Sequence, residues 1–367
     1  MIAAKYISLA VFVIAYALFV FFPNKRMAVA LIGAGILVAF GVIGLDQAFW
    51  AVNWNVMGIF IGTLVVADIF MESRVPANLA EIIVERARNT GWAILFICLL
   101  TGFISAFVEN VATVLIVAPI ALSLANKLKI NPMNMMIAIA VSSNLQGTAT
   151  LIGDPPSMLL GSYARMNFND FFFYHGKPGI FFAVEMGAFF SFFVLYFLFR
   201  RHKEKVRIGK IEKVRSWLPT YILIGLIFLL AASSFFDRGF AYSTGLLCMI
   251  AGLIALLWKR FYDHQSIVKE IRKLEWETVF FLVGVFILVG SITLTGWIEV
   301  VSNSLSGLVG SNILFGYIVI VAVSVLVSAF VDNVPFLVAM LPVAISMSAR
   351  LGINPSLFLF GLLIGAS

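Results

Sequence analysis

The sequence predicts an all-α polytopic membrane protein built from inverted-topology repeats, with two re-entrant helical hairpins and broken helices. Three observations predict it. Of the residues, 62% are hydrophobic and only 12% charged. Apolar runs of about 20 residues, the length that crosses a bilayer, recur along the chain. The sequence also meets itself at a shift of 223 residues.

A soluble domain of 367 residues could not hide that much apolar surface in one core, whereas lipid-facing side chains need no burial against protein. The 36 Phe residues suit such a surface. The first run, Tyr6 to Phe22, lacks a sizeable basic n-region and a small-residue cleavage site, which makes it a retained helix rather than a signal peptide. Cys98 and Cys248 stand alone inside apolar runs, and His175, His202 and His264 fall in polar connections, so neither a disulfide framework nor a metal-ligand pattern is present in the sequence. A net charge of +7 could serve nucleic acid, but its cations sit in the loops between apolar spans, which fits a membrane protein with no nucleic-acid partner.

Runs long enough to cross lie at 6–22, 27–44, 52–71, 178–199, 216–236, 240–258 and 277–294. The regions 92–126 and 313–349 are each interrupted near the middle by an acid-Asn pair, and 133–164 is interrupted by Gly147, Gly153 and Pro155-Pro156. The first two are too long for one span and short for two, which predicts hairpins that enter and leave on one side. Charge supports this. With both regions re-entrant, Lys25, Arg26, Arg74, Arg86, Arg88, Lys127, Lys129 and the clusters at 200–215 and 259–273 share one side. That side then holds 20 Lys and Arg residues against Lys5, Arg165, Lys177, Arg238 and Arg350 on the other. By the positive-inside rule the 200–215 loop is cytoplasmic and the N-terminus is outside, with the cell membrane as the location. The segment 77–90 reads as an amphipathic helix on the membrane surface.

The repeat places Ser105-Ala-Phe-Val-Glu-Asn-Val111 over Ser328-Ala-Phe-Val-Asp-Asn-Val334, and continues through Pro119 and Pro342 to Ile130-Asn-Pro132 and Ile353-Asn-Pro355. Thirteen of 28 positions from Ser105 to Pro132 are identical, and Trp54 meets Trp276 at a shift one residue smaller. Repeat one covers 1–200, with its hairpin at 92–126 and broken helix at 133–164. A basic linker occupies 201–215, and repeat two covers 216–367 with its hairpin at 313–349. The hairpin mouths are expected to open on opposite sides, with the tips meeting at a polar centre, the arrangement of alternating-access carriers. Ser367 pairs with Asn144, so roughly 56 residues of a second unit are expected beyond it.

Unpaired backbone at membrane depth is tolerated only within protein or against a watery cavity, and the breaks are therefore the candidate site. The first supplies Glu109, Asn110 and Thr113; the second supplies Asp332 and Asn333, with Pro335 opening the helix. An acid at membrane depth normally faces a cavity, a partner or a proton. Caps at the hairpin tips would explain the Asn residues but not an acid in both copies. The third break, Ser142 to Ser157, offers Ser143, Asn144, Gln146, Thr148, Thr150 and Asp154. Proton coupling is assigned to Glu109, Asp332 or Glu185, the last inside the 178–199 span, while Asp68 beside Glu72 and Arg74 reads as interfacial.

At Ser105 to Thr113, Gly147 to Pro156 and Ser328 to Pro335 the sequence resembles the ion transporter superfamily. It is most similar there to the arsenite-efflux permease and melanosomal P-protein branch, beside citrate transporters and sodium/proton antiporters. The resemblance implies substrate and coupling-ion binding at both hairpin tips and along the unwound helix from Asn144 to Asp154. One departure is Ser157, where relatives commonly carry Asn after the double Pro. Acids at both tips argue against a di- or tricarboxylate substrate, which they would repel unless protonated or cation-bound. The expected function is secondary active transport of a small inorganic ion or oxyanion, foremost arsenite or antimonite efflux coupled to H⁺ or Na⁺. Na⁺/H⁺ antiport is the alternative, followed by a citrate- or dicarboxylate-type anion transporter. A passive channel would need a continuous polar pore, and an enzyme would need a nucleophile-base or metal set that the sequence lacks. No cofactor is expected beyond the coupling ion. The expected partners are membrane lipid, the inorganic solute, a second copy of the chain in a homodimer and, for an arsenite permease, a partner ATPase.

Overall fold

The computed structural model describes residues 2–128, 131–204, 212–236, 243–262, 264, 266–310 and 312–367. Lys129, Ile130, Arg238 and the middle of the basic linker, 205–211, lie outside the described residues.

The first helices in chain order are α1 (Ile2–Phe21), α2 (Arg26–Ala39), α3 (Leu45–Ala51), α4 (Trp54–Glu72), α5 (Val75–Arg86) and α6 (Thr90–Ser105). Then come α7 (Asn110–Leu128), α8 (Met133–Gly147), α9 (Pro155–Ala164), α10 (Ile180–Phe199), α11 (Leu218–Ser233) and α12 (Ser243–Tyr262). The last are α13 (Ile267–Lys273), α14 (Trp276–Leu294), α15 (Trp297–Val309), α16 (Ile313–Ser328), α17 (Asn333–Leu351) and α18 (Ser356–Ala366). The only strands among the described residues form a small antiparallel hairpin, Phe173–Tyr174 with Lys177–Pro178, turning through Gly176 at φ 74°. Among the described residues seven helices (α1, α4, α7, α10, α12, α14 and α17) are long and apolar enough to cross a membrane. The protein is therefore an all-α, multi-pass membrane protein.

The 223-residue shift survives in the helix boundaries. It carries α6 onto α16 and α7 onto α17 end for end, and the first residue of α8 onto that of α18. The caps follow. Asn89 accepts the Trp92 N–H at the start of α6, and Asn312 accepts the Phe315 N–H at the start of α16. Both arms of each expected hairpin are present, but α7 and α17 have 19 residues each. At about 1.5 Å per residue either arm approaches the thickness of the hydrocarbon core, so the expectation of re-entrance rests on charge placement and not on length.

The chain divides into two compact units, Met1–Met57 with Leu159–Arg165 and Glu275–Ser367, and Gly58–Met158 with Met166–Leu274. Each draws segments from both sequence repeats. In the first unit α14 packs on α1, α2, α3 and α17, and α18 packs on α16 and α17. Backbones approach closely there: a Cβ at Gly284 would stand 2.7 Å from the Ala30 Cβ, so only glycine fits. In the second unit α8 packs against α6, α7 and α10, while α5 lies on α6 and α7. Its α4 and α12 touch backbone to backbone, since a Cβ at Gly62 would lie 2.2 Å from the Cys248 carbonyl carbon. The outward surface is apolar. On α10, Met186, Phe189, Phe190, Val194 and Phe197 are all exposed, the pattern of a helix that faces lipid.

Candidate functional site

The second unit gathers the α6–α7 break and the α8–α9 break into one polar cluster. α6 ends at Ser105 and α7 begins at Asn110, with Glu109 capping it: the Glu109 carboxylate accepts the Ala112 N–H at 2.9 Å, and its carbonyl accepts the Thr113 hydroxyl at 3.1 Å. A carboxylate at a helix N-terminus satisfies an orphan N–H and meets the positive end of the dipole. α8 cannot run past Asp154, because two prolines follow and the residue before a proline is driven out of the helical region. Pro155 and Pro156 instead start α9, where their missing N–H groups cost nothing.

Asn110 is the hub. Its side-chain oxygen accepts the Ser105 hydroxyl, its amide donates to Asn144 Oδ1 at 3.3 Å, and it also hydrogen-bonds the Asp154 carboxyl. Ser143 adds its hydroxyl to Ser105 Oγ at 2.9 Å and to the Asn110 carbonyl at 3.2 Å. Asp154, 3% exposed, caps α9 by accepting the Ser157 N–H at 2.9 Å and the Ser157 hydroxyl at 2.7 Å. The Thr150 hydroxyl closes the two breaks together by donating to the Ala106 carbonyl. Two glycines make room: a Cβ at Gly147 would stand 2.2 Å from Asn110 Oδ1, and one at Gly153 would stand 2.2 Å from the Gly147 carbonyl oxygen. Ser105, Thr113, Ser143, Thr148, Thr150 and Ser157 are all buried, and every one is hydrogen-bonded. Buried hydroxyls left unpaired would be costly, so the cluster is held in one arrangement.

The first unit holds the repeated break by itself. The Ser328 hydroxyl donates to Asn333 Oδ1 and also lies 2.8 Å from the Ala366 carbonyl at the end of α18. Asp332 caps α17 through the Val334 N–H at 3.0 Å. Here the copies part company, because Asp332 is also ion-paired with Arg26, whose guanidinium lies 5.1 Å from the Phe281 ring centroid. The Tyr16 hydroxyl donates to the Pro335 carbonyl at 2.6 Å.

Sequence reasoning gave the capping duty to the Asn residues; the structure gives it to the acids, while each Asn takes a serine hydroxyl. Ser105, Ser328 and Arg26 were not among the candidate site residues, and Ser157 was noted only as a departure from relatives. The identity of Ser105 and Ser328 across the repeat was the available signal for two of them, and the turn after the double Pro was the signal for Ser157. Glu185 stands apart, half-buried on α10, with no hydrogen bond or ion pair among the described residues. Thr148 bonds only locally, to the Leu145 carbonyl at 2.8 Å. Asp68 clusters with Glu72 and Glu270 around buried Lys259, whose ammonium pairs with both glutamates. Arg74 pairs with Glu212 at 3.3 Å and not with Glu72. On the short helix α13, outside the spans, burial works against the Glu270 charge, but hydrogen bonds from Lys259 and Lys273 more than offset it and hold its carboxyl below the ordinary 4.5. The Lys273 ammonium is raised above 10.5, first by its hydrogen bond to Glu270.

The citrate transporter family matches residues 16–365. An uncharacterized transporter of Mycobacterium tuberculosis is 27% identical over 372 residues, covering 98% of this chain and 85% of its own. The P protein of Sus scrofa is 22% identical over 418 residues, covering 91% of this chain and 49% of its own. Among solved structures the fold is similar to the YdaH transporter of Alcanivorax borkumensis, described as having an unusual topology. The TM-score is 0.58 and the identity 13%, over 86% of this chain and 74% of that one.

Proposed function

The chain belongs to the citrate transporter family, and from that membership we propose that it is a secondary active transporter of a small inorganic ion or oxyanion, coupled to H⁺ or Na⁺. What supports this is the chemistry of the cluster in the second unit. Two carboxyls, Glu109 and Asp154, stand among amide and hydroxyl groups, and no Lys, Arg or His occurs anywhere in 105–113 or 142–157. A di- or tricarboxylate entering such a place would meet like charge with no cation to answer it. A proton, a sodium ion or a neutral oxyacid would meet oxygen ligands of the right kind.

Arsenite or antimonite efflux is the activity we put first. Arsenous acid is neutral at pH 7 and needs hydroxyl and amide partners rather than a cationic clamp. Glu109, at the head of α7 beside Asn110 and close to the α8–α9 break, is the coupling carboxyl in this reading. Na⁺/H⁺ antiport is the second reading, favoured by the same pair of carboxyls, which suffice for exchanging two cations. The 20-to-5 imbalance of basic residues supports a cytoplasmic 200–215 loop in the cell membrane.

The test is transport by the protein in sealed vesicles, with arsenite, Na⁺ and citrate offered in turn under an imposed pH gradient. Accumulation of arsenite against its gradient, abolished by collapsing ΔpH, is the expected result. Citrate uptake with arsenite and Na⁺ inert would overturn the proposal, and downhill flux insensitive to both gradients would make the protein a channel.

A further inference from the structure

Where α10 ends and α6 begins, three cations stand round a cleft of about 320 Å³ lined by Arg88, Asn89, Trp92, Tyr196, Arg200 and Lys203. The close meeting of the two helix ends is built in. A Cβ at Gly91 would lie 2.6 Å from the Phe199 carbonyl oxygen, and the Thr90 and Gly91 N–H groups donate at 2.9 Å to the carbonyls of Glu204 and His202. The chain after α10 is thereby tied down beside the start of α6, and Lys203 is set between its two tethered neighbours. Trp92 and Tyr196 pack together at 5.9 Å, and the Arg200 guanidinium lies 5.0 Å from the Phe197 ring centroid. Among the described residues none of Arg88, Arg200 and Lys203 is paired with a carboxylate; the nearby Glu204 takes part through its backbone carbonyl, which the Thr90 hydroxyl also bonds at 2.6 Å.

Three unanswered cations with an aromatic pair at the end of a lipid-facing span mark an interfacial position. Beside them runs a second, narrower cleft between α6, α8 and α10, mostly apolar, which shares Leu95 with the first and continues along Leu99, Phe192 and Leu195 toward Gln146. A basic mouth opening directly into an apolar groove matches an amphiphile with an anionic head and a hydrocarbon tail.

We propose that this composite cleft is a binding site for one anionic phospholipid, its phosphate held by Arg88, Arg200 and Lys203 and one acyl chain lying in the groove between α6 and α10. The shape argues for lipid over free phosphate, because the groove would stay empty under a soluble anion. Its far end reaches Ser142 and Gln146 on α8, the helix that carries Ser143 and Asn144, so an occupied groove buttresses the broken helix from behind.

Native mass spectrometry of the full chain, released from micelles doped with phosphatidylglycerol or phosphatidylcholine, tests this. The wild type should retain phosphatidylglycerol in preference to phosphatidylcholine, and the preference should fall as NaCl rises from roughly 0.05 to 0.5 M. Removing the charges in Arg88→Gln, Arg200→Gln and Lys203→Gln should weaken retention roughly fivefold per charge. Leu99→Trp should also lower it, by filling the groove with all three cations left in place. Salt-independent retention by the wild type, or a triple variant that keeps the wild-type preference, would overturn the site. Displacement of the lipid by equimolar inorganic phosphate, with Leu99→Trp indistinguishable from wild type, would replace the lipid by a free anion and overturn the proposal as stated.

Discussion

The Ser105 hydroxyl donates to the side-chain oxygen of Asn110, and 223 residues further along Ser328 does the same to Asn333. The repeat thus extends from residue identity to individual hydrogen bonds. Beside each Asn stands a helix-capping acid, and there the copies diverge: Asp332 caps the Val334 N–H and has the Arg26 guanidinium against it, whereas Glu109 caps the Ala112 N–H one residue further into its helix.

Gly147 exists to admit Asn110. We expect Gly147→Ala to cost about 1–3 kcal/mol of stability through overpacking, read as a lower Tm of the detergent-solubilised protein. Asn110→Ala removes the atom the new methyl would strike, so the double variant should lose less than the sum of the two single losses. Strict additivity would mean that Asn110 does not fill this space.

Glu109→Gln keeps the size of the side chain and an oxygen to accept the Ala112 N–H, so insertion and Tm should stay close to wild type. Proton- or sodium-driven flux should fall at least tenfold. If coupled flux is unchanged in vesicles, coupling runs through another carboxyl.

For the pair Arg26 and Asp332 we expect a coupling on the order of 1 kcal/mol, since both side chains are one-third exposed. The measurement is a double-mutant cycle on Tm with Arg26→Gln and Asp332→Asn. Because Asp332 keeps its cap on Val334 as Asn, the asparagine variant should be the milder of the two singles.

Lys259 is 1% exposed and answers two glutamates, so Lys259→Met should destabilise by about 1–3 kcal/mol, Glu270 being left with Lys273 alone. The pH dependence follows in sign. With its folded-state value below 4.5, Glu270 contributes stability above that pH and loses it as acid reaches the lower value. Lys273, raised above 10.5, contributes below that pH and loses it as alkali passes the higher value. The Tm gap between wild type and Glu270→Gln should therefore be widest near about pH 7 and close toward about pH 3. A gap that persists in acid would show that the loss is one of packing.

The breaks were legible because they are written in local chemistry. Pro155-Pro156, Pro335, and the Gly and Asn-acid pairs forbid or cap helix whatever surrounds them, and the repeat located the second hairpin from the first. The ion pairs were not legible. Arg26 and Asp332 are separated by 306 residues, and Lys259 reads in sequence as one more cation at a span end until Glu72 and Glu270 close around it. Side-chain partners set by packing leave no periodic trace, so the identity of Ser105 and Ser328 and the departure at Ser157 did not disclose which groups those hydroxyls bond.

The contact between Gly62 and the carbonyl of Cys248 has a mechanical consequence. Two helices whose main chains touch cannot slide lengthwise without first separating, because each carbonyl sits in a notch of its neighbour. Lengthwise sliding of α4 past α12 is thereby opposed by the main chains themselves. Residues 148–154 have no helical ladder, and their position is set instead by the side-chain bonds of Thr150 and Asp154.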